Sequence, residues 1–201
     1  MTASRQLISL NTARAEPLAT PQGEVLSGIR KRGREGAVAV GMLGLEGDEQ
    51  ADPTVHGGPA KALYAYASEH YSFWQTVRAQ AGAADWGQIL PWGSLGENLT
   101  LSSLRESEVW IGDRLVFPDC ELIVSEPRYP CFKFNAVMGF NQAAKLMTQS
   151  AWCGFYLAVA QPGTMAAGQA FELIAGPREV GIVELFKART GRSTQAAARF
   201  G

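Results

Sequence analysis

The sequence is poor in cysteine, histidine and charge. Its 201 residues include three cysteines, Cys120, Cys131 and Cys153, and two histidines. No pair of cysteines has Cys-x-x-Cys spacing. An odd count without paired spacing argues against a disulfide framework, and it excludes a four-cysteine iron–sulfur cluster held within the chain. Charged residues make up 18% of the chain and the net charge is −1. Nothing here supplies the basic excess that a phosphate-backbone binder needs. No apolar run approaches the ~20 residues that cross a bilayer. The N-terminal stretch MTASRQLISLNTARAEPLAT lacks the apolar region of a secretory signal, and Glu16 and the missing amphipathic pattern argue against a transit peptide. A cytoplasmic location is the expectation. Neither Gly-x-x-x-x-Gly-Lys-Ser/Thr nor Gly-x-Gly-x-x-Gly occurs, so nucleotide binding by those loops is unsupported.

What is present suits one globular domain. Apolar residues reach 46%, and a chain of this size buries roughly 70% of its unfolded surface without staples. Glycine (22) and proline (10) are spread along the chain, the punctuation of many short strands joined by irregular loops. Strands are expected at 37–45, 61–67, 97–101, 153–160 and 169–175, and a hairpin at 113–117 and 120–126 turns at Pro118-Asp119. A helix is expected over 68–82, capped by Ser68 and ended by Gly82, with Phe73, Trp74, Val77 and Ala81 on its apolar face. A second is expected over 141–150, capped by Asn141. After Pro177 two short helices split by Gly191 form a tail. The strands recur without regular helical crossovers, so the body reads as mainly β, a barrel or strongly curved sheet. The domain is placed at 1–176, with a helical appendage at 177–201.

Four stretches can carry chemistry. In EPRYPCFKFN (126–135), Cys131 follows Pro130 and lies between Arg128 and Lys133. Neighbouring cations favour the thiolate, the form that attacks electrophiles and binds metals. Cys131 is therefore a nucleophile or metal ligand, or else a small buried residue, the commonest fate of a free cysteine. Cys120 and Cys153 fall inside expected strands and are assigned to the core. In DPTVHGGPAKA (52–62), Gly57 and Gly58 after His56 allow positive φ and an anion-binding nest, or simply a turn. His70, beside aromatics on a helix, is assigned a structural part. In GSLGENL (93–99), Glu97 can act as general acid or base or serve turn chemistry, and Asn98 can bond a heterocycle edge. GIRKRGREG (28–36) is a solvated loop or an oxyanion clamp. The acid-rich GLEGDEQAD (44–52) lacks the calcium-loop pattern and is assigned to loop structure.

Taken in order, GLEGDEQAD, HGGPAKALYAYASEHY, GENL, IGDRL and VSEPRYPCFKFN resemble the MOSC domain, named for the C-terminal domain of molybdenum cofactor sulfurase. The match is nearest the bacterial branch that reduces N-hydroxylated bases such as 6-N-hydroxylaminopurine. It runs from about 25 to about 175, and VGIVELFKAR resembles the branch's helical appendage. The ten residues after Gly191 make a short tail by comparison, which puts a docking or dimerising part for it in doubt. The resemblance implies a β-barrel-like fold (of the pyruvate kinase β-barrel kind) with helical insertions, and a molybdenum–pterin cofactor. It implies Cys131 as thiolate ligand to the metal. Lys31, Arg32, Arg128 and Lys133 would then neutralise anionic groups of the cofactor, Gly57 and Gly58 would admit it, and His56 and Asn98 would line the pocket. Reduction of N–OH to N–H, a detoxification, needs two electrons and two protons. His56 or Glu97 would give protons, and a flavoprotein or ferredoxin-type reductase would give electrons. A homodimer is the prior for assembly. Two other readings stay open: a cofactor carrier without turnover, and sulfur transfer through a Cys131 persulfide. The second is weakened because no pyridoxal-phosphate desulfurase domain is present to supply sulfur.

Overall fold

The computed structural model describes residues 4–51 and 57–199. His56 falls outside this range. The core is one mixed eight-stranded sheet. From edge to edge it holds β13 (Glu172–Ile174), β9 (Arg114–Val116), β10 (Glu121–Pro127), β11 (Phe155–Gln161), β7 (Leu63–Ala67), β8 (Leu99–Ser102), β1 (Gln6–Thr12) and β4 (Arg32–Gly33). The β9–β10 hairpin turns at Pro118-Asp119 as expected, with Val116 opposite Glu121. The ends of the sheet approach each other: Gln6 bridges Ala170, and the Leu7 N–H donates to the Gln169 carbonyl at 2.9 Å. The sheet is therefore curled and barrel-like without closing. Register shifts between Leu7 and Ser9 and between Val124 and Glu126 supply bends that such curvature needs.

One pair of the sheet is parallel, β7 with β8, Ala65 opposite Leu99. The crossover that parallel strands require is made by α1 (Tyr71–Gln80) and the loop after it. Ser68 does not cap α1. It opens a 3-10 turn, Ser68–His70, and His70 stands at the N-cap without a side-chain bond. The helix is held by burial of Tyr71 and Trp74 instead, which outweighs a missing cap of about 1 kcal/mol.

Sequence reading did not give α2 (Phe132–Met138). It packs on α3 (Ala143–Ser150), where the cap expected from Asn141 comes from α2 instead: the Ala144 N–H donates to Asn135 Oδ1 at 2.8 Å. The hairpin β2 (Glu16–Thr20) and β3 (Gly23–Ser27) forms a separate two-stranded sheet against α2. β5 (Val38–Gly41), β6 (Gly44–Leu45) and β12 (Gly163–Met165) make a third sheet. The tail is one helix, α4 (Ile182–Arg199), rather than two. A glycine inside a helix costs only about 1 kcal/mol, and burial of Ile182 and Phe186 anchors the helix's first turns.

Candidate functional site

A cleft opens where β3, β7, β10 and β11 end near one another. Its cavity volume is about 110 Å³. Cys131 stands at the N-cap of α2 with an extended backbone (φ −116°, ψ 172°), half-buried on the cleft wall. Its carbonyl accepts the Phe134 N–H at 2.9 Å. Pro130 before it fixes the backbone between strand and helix. Cys120 and Cys153 are in the core, where burial pushes the Cys120 thiol up to about 11 and the Cys153 thiol well above its ordinary value.

Arg128 is the charged group with the least ordinary environment. It is 5% exposed. Its guanidinium lies 4.8 Å from the Phe134 ring centre and 5.4 Å from that of Tyr64, and Nη1 is 3.0 Å from the thioether of Met147. No ion pair among the described residues includes it. Tyr156, on β11, takes a hydrogen bond from Arg128, and burial raises its phenol's pKa. Ring faces and a phenol compensate a buried cation only in part, which leaves an electropositive wall beside Cys131.

Three lysines complete the wall. Lys133 Nζ donates to the Leu26 carbonyl at 3.2 Å, latching the β2–β3 hairpin to α2. Lys61 Nζ is 3.6 Å from Glu126 and 5.7 Å from the Tyr156 ring centre. Lys31 is buried against Asp48. Burial lowers its pKa and Asp48 raises it. Asp48 also accepts the Ala13 N–H at 2.9 Å and the Asn98 amide at 2.8 Å.

These contacts revise several sequence-based expectations. Asn98 lines the cleft, but its amide is spent on protein: Oδ1 accepts the Tyr64 N–H (3.1 Å), and Nδ2 donates to the Asn11 carbonyl (3.2 Å) and to Asp48. It has no amide group left over for a heterocycle. Glu97 is fully buried behind the cleft rather than lining it. Its carboxylate accepts from Tyr71, the Gly93 N–H (2.8 Å), the Leu95 N–H (3.2 Å) and Thr100 (2.8 Å). Burial raises its pKa against the Tyr71, Thr100 and Gly93 donors. It ties down the loop 91–96 and is placed to hold structure, not to meet a substrate. Arg32 is exposed on β4 and does not line the cleft, whereas Lys31, just before the strand, is drawn in by its ion pair with Asp48. Gly57 and Gly58 also lie outside the lining. Gly58 (φ +86°) starts the 3-10 turn that carries Lys61. The close approaches are made by other glycines. A Cβ on Gly28 would meet the Glu49 carbonyl at 2.2 Å, and one on Gly96 (φ +88°) would meet Ile29 Cγ1 at 2.8 Å. His70 is structural, 2.8 Å from Glu106 and stacked on Trp152.

Lys61, Tyr64 and Tyr156 were missed as site residues. Lys61 had a signal in the HGGPAK stretch. The tyrosines had none, because their convergence depends on β7 pairing with β11 across the fold. Among the described residues no three His, Cys, Asp or Glu side chains gather to hold a metal.

A profile of the MOSC domain matches residues 52–172. The chain belongs to the MOSC domain family. YflK of Bacillus subtilis (strain 168) is 34% identical over 169 residues, 84% of this chain and 73% of that protein. YiiM of Escherichia coli (strain K12) is 35% identical over 166 residues, 83% of this chain and 71% of that protein. The crystal structure of YiiM from Geobacillus stearothermophilus superposes with a TM-score of 0.73 at 29% identity, covering 96% of this chain and 88% of that one. The MOSC chain described here thus belongs with the YiiM group. A protein named reductase from Gibberella moniliformis (strain M3125 / FGSC 7600) is 31% identical over 156 residues, but these are only 27% of its length.

Proposed function

We propose that this MOSC protein holds a molybdenum–pterin cofactor in the cleft, with the Cys131 thiolate as metal ligand, and reduces N-hydroxylated bases. The carrying observation is Arg128, a buried guanidinium with no carboxylate partner among the described residues, on the wall that Cys131 shares. The donor set fits the group. A soft thiolate suits molybdenum, and Arg128, Lys61 and Lys133 face its anionic parts. Lys31 is already balanced by Asp48 and supports the wall rather than the ligand.

The reaction turns R–NHOH into R–NH₂ and water with two electrons and two protons. When bound, the cofactor supplies the centre that takes up the substrate oxygen. The chain's part is to bind, orient and protonate. Tyr156 and Tyr64 offer ring surface for a flat heterocycle, their centres 5.6 Å apart. Lys61 and Lys133 bring ammonium groups to the cleft that can balance negative charge developing on a departing oxygen. His56 enters from the sequence alone as a proton donor matched to neutral pH. Electrons come from a separate flavoprotein or ferredoxin-type reductase, and the protein works in the cytoplasm.

The test is molybdenum and released pterin measured on protein from a host that makes the cofactor, for wild type and Cys131→Ala. Expected are metal and pterin in wild type only, and reduction of 6-N-hydroxylaminopurine by wild type with dithionite. Equal metal in both proteins refutes the ligand assignment. Metal without turnover makes the protein a carrier. A persulfide on Cys131 without metal makes it a sulfur-transfer protein.

A further inference from the structure

The stretch Gly28–Gly36 carries Arg30, Lys31, Arg32 and Arg34, and only Lys31 turns into the cleft. Arg30, Arg32 and Arg34 are exposed, as is Arg14 just after β1. None of these four arginines forms an ion pair among the described residues. Arg34 makes one side-chain bond, to Thr12 Oγ1 at 3.3 Å. β1 and β4 pair antiparallel with Thr12 opposite Arg32. The stretch that leads to Arg14 is thereby laid beside the stretch that holds Arg30. The acids on these stretches are Glu16 and Glu35, and the nearby Glu49 carboxylate accepts the Ala15 N–H at 2.9 Å. Ile29 and Lys31 of the same segment line the cleft, so Arg30 and Arg32, exposed chain neighbours of these two, lie beside its edge.

Four exposed guanidinium groups outside any ion pair, at the mouth of a cationic cleft, form a surface that steers an anionic partner. A single-stranded nucleic acid would call for aromatic rings among the cations, and Gly28–Gly36 contains none. We propose that this arginine rim docks an acidic electron-carrier protein, ferredoxin- or flavodoxin-like in surface charge. The proposal rests on the reductase reading, in which the two electrons that convert N–OH and two protons to N–H and water arrive from such a carrier.

The test measures binding of an acidic [2Fe–2S] ferredoxin and of a flavodoxin to the full chain across salt. Wild type is compared with Arg14→Glu/Arg30→Glu and with Lys145→Glu/Lys187→Glu, exposed positions that change net charge equally. Expected is binding of at least one carrier that weakens about tenfold between about 50 and about 200 mM salt. The rim variant should weaken it about tenfold or more at low salt and flatten the salt dependence, and the control should change it less than about twofold. Dithionite-driven reduction of 6-N-hydroxylaminopurine should be the same in the rim variant and wild type. Absence of binding by both carriers, equal loss in the two variants, or displacement of the carriers by single-stranded DNA overturns the proposal. Absence of dithionite-driven turnover in wild type refutes the reductase reading instead, and the binding curves still decide the rim.

Discussion

Glu97→Gln separates a chemical part for this carboxylate from a structural one. Glu97 Oε1 accepts from Tyr71, Gly93 and Thr100, and Oε2 accepts from Leu95. Whichever way the glutamine amide turns, its NH₂ meets at least one of these donors. If it faces Leu95, a backbone N–H that cannot rotate away loses its acceptor. One buried donor left unsatisfied costs about 1–3 kcal/mol, and replacing charged by neutral acceptance at the other bonds costs about 1 kcal/mol more. Relief of burying a charge returns part of this. A net loss of about 2–3 kcal/mol remains, and at ~2–4 °C per kcal/mol for a chain of this length, Tm falls by about 5–10 °C. The loop 91–96 touches the cleft wall through Gly96 and Ile29, so metal retention should fall along with stability. Thermal unfolding followed by circular dichroism reads the first effect and elemental analysis the second. A variant with wild-type Tm and wild-type molybdenum that has lost turnover would falsify the structural reading and return Glu97 to chemistry.

Native protein treated with iodoacetamide at pH 8 should take one label, on Cys131, because burial holds the Cys120 and Cys153 thiols above their ordinary values; mass spectrometry showing label on either of those two refutes this. The same shift sets a pH dependence. A thiol whose pKa is raised on folding contributes stability below its ordinary value near 9, lost as pH rises through about 11. Denaturant stability should accordingly fall over that window, and fall less in Cys120→Ala. Gly96→Ala combines a φ of +88° with a Cβ 2.8 Å from Ile29 Cγ1 and should cost about 1–3 kcal/mol. Gly36→Ala has φ +74° and open space, so it should cost about 1 kcal/mol; equal denaturation midpoints for the two would refute the packing argument. Arg128→Met removes a buried charge with no carboxylate partner among the described residues, so it should leave stability unchanged or higher while molybdenum is lost; a variant that unfolds, or that keeps its metal, refutes the assignment of Arg128 to ligand binding.

The sequence alone determined the β-rich class, most strand positions and the family, because turn residues, apolar periodicity and short motifs are local properties. EPRYPCFKFN set Cys131 beside Arg128 and Lys133 for the same reason: the residues are neighbours along the chain. The limits came at contacts between distant segments. The α2 stretch was given no element from the sequence, being only about two turns long, and packing on α3 and the β2–β3 hairpin supports the helix. Gly191 marked a helix break by local propensity, and burial of the earlier turns carried the helix through. Glu97 and Asn98 looked like free polar groups until the fold supplied Tyr71, Thr100, Tyr64, Asn11 and Asp48 as their partners. The opposite fates of Lys31 and Arg32 turned on Asp48, a carboxylate from a distant segment that buries Lys31 and leaves Arg32 exposed. Tertiary structure decided which charges are spent on the protein and which remain for a ligand, because desolvation and hydrogen-bond saturation depend on segments that meet only after folding.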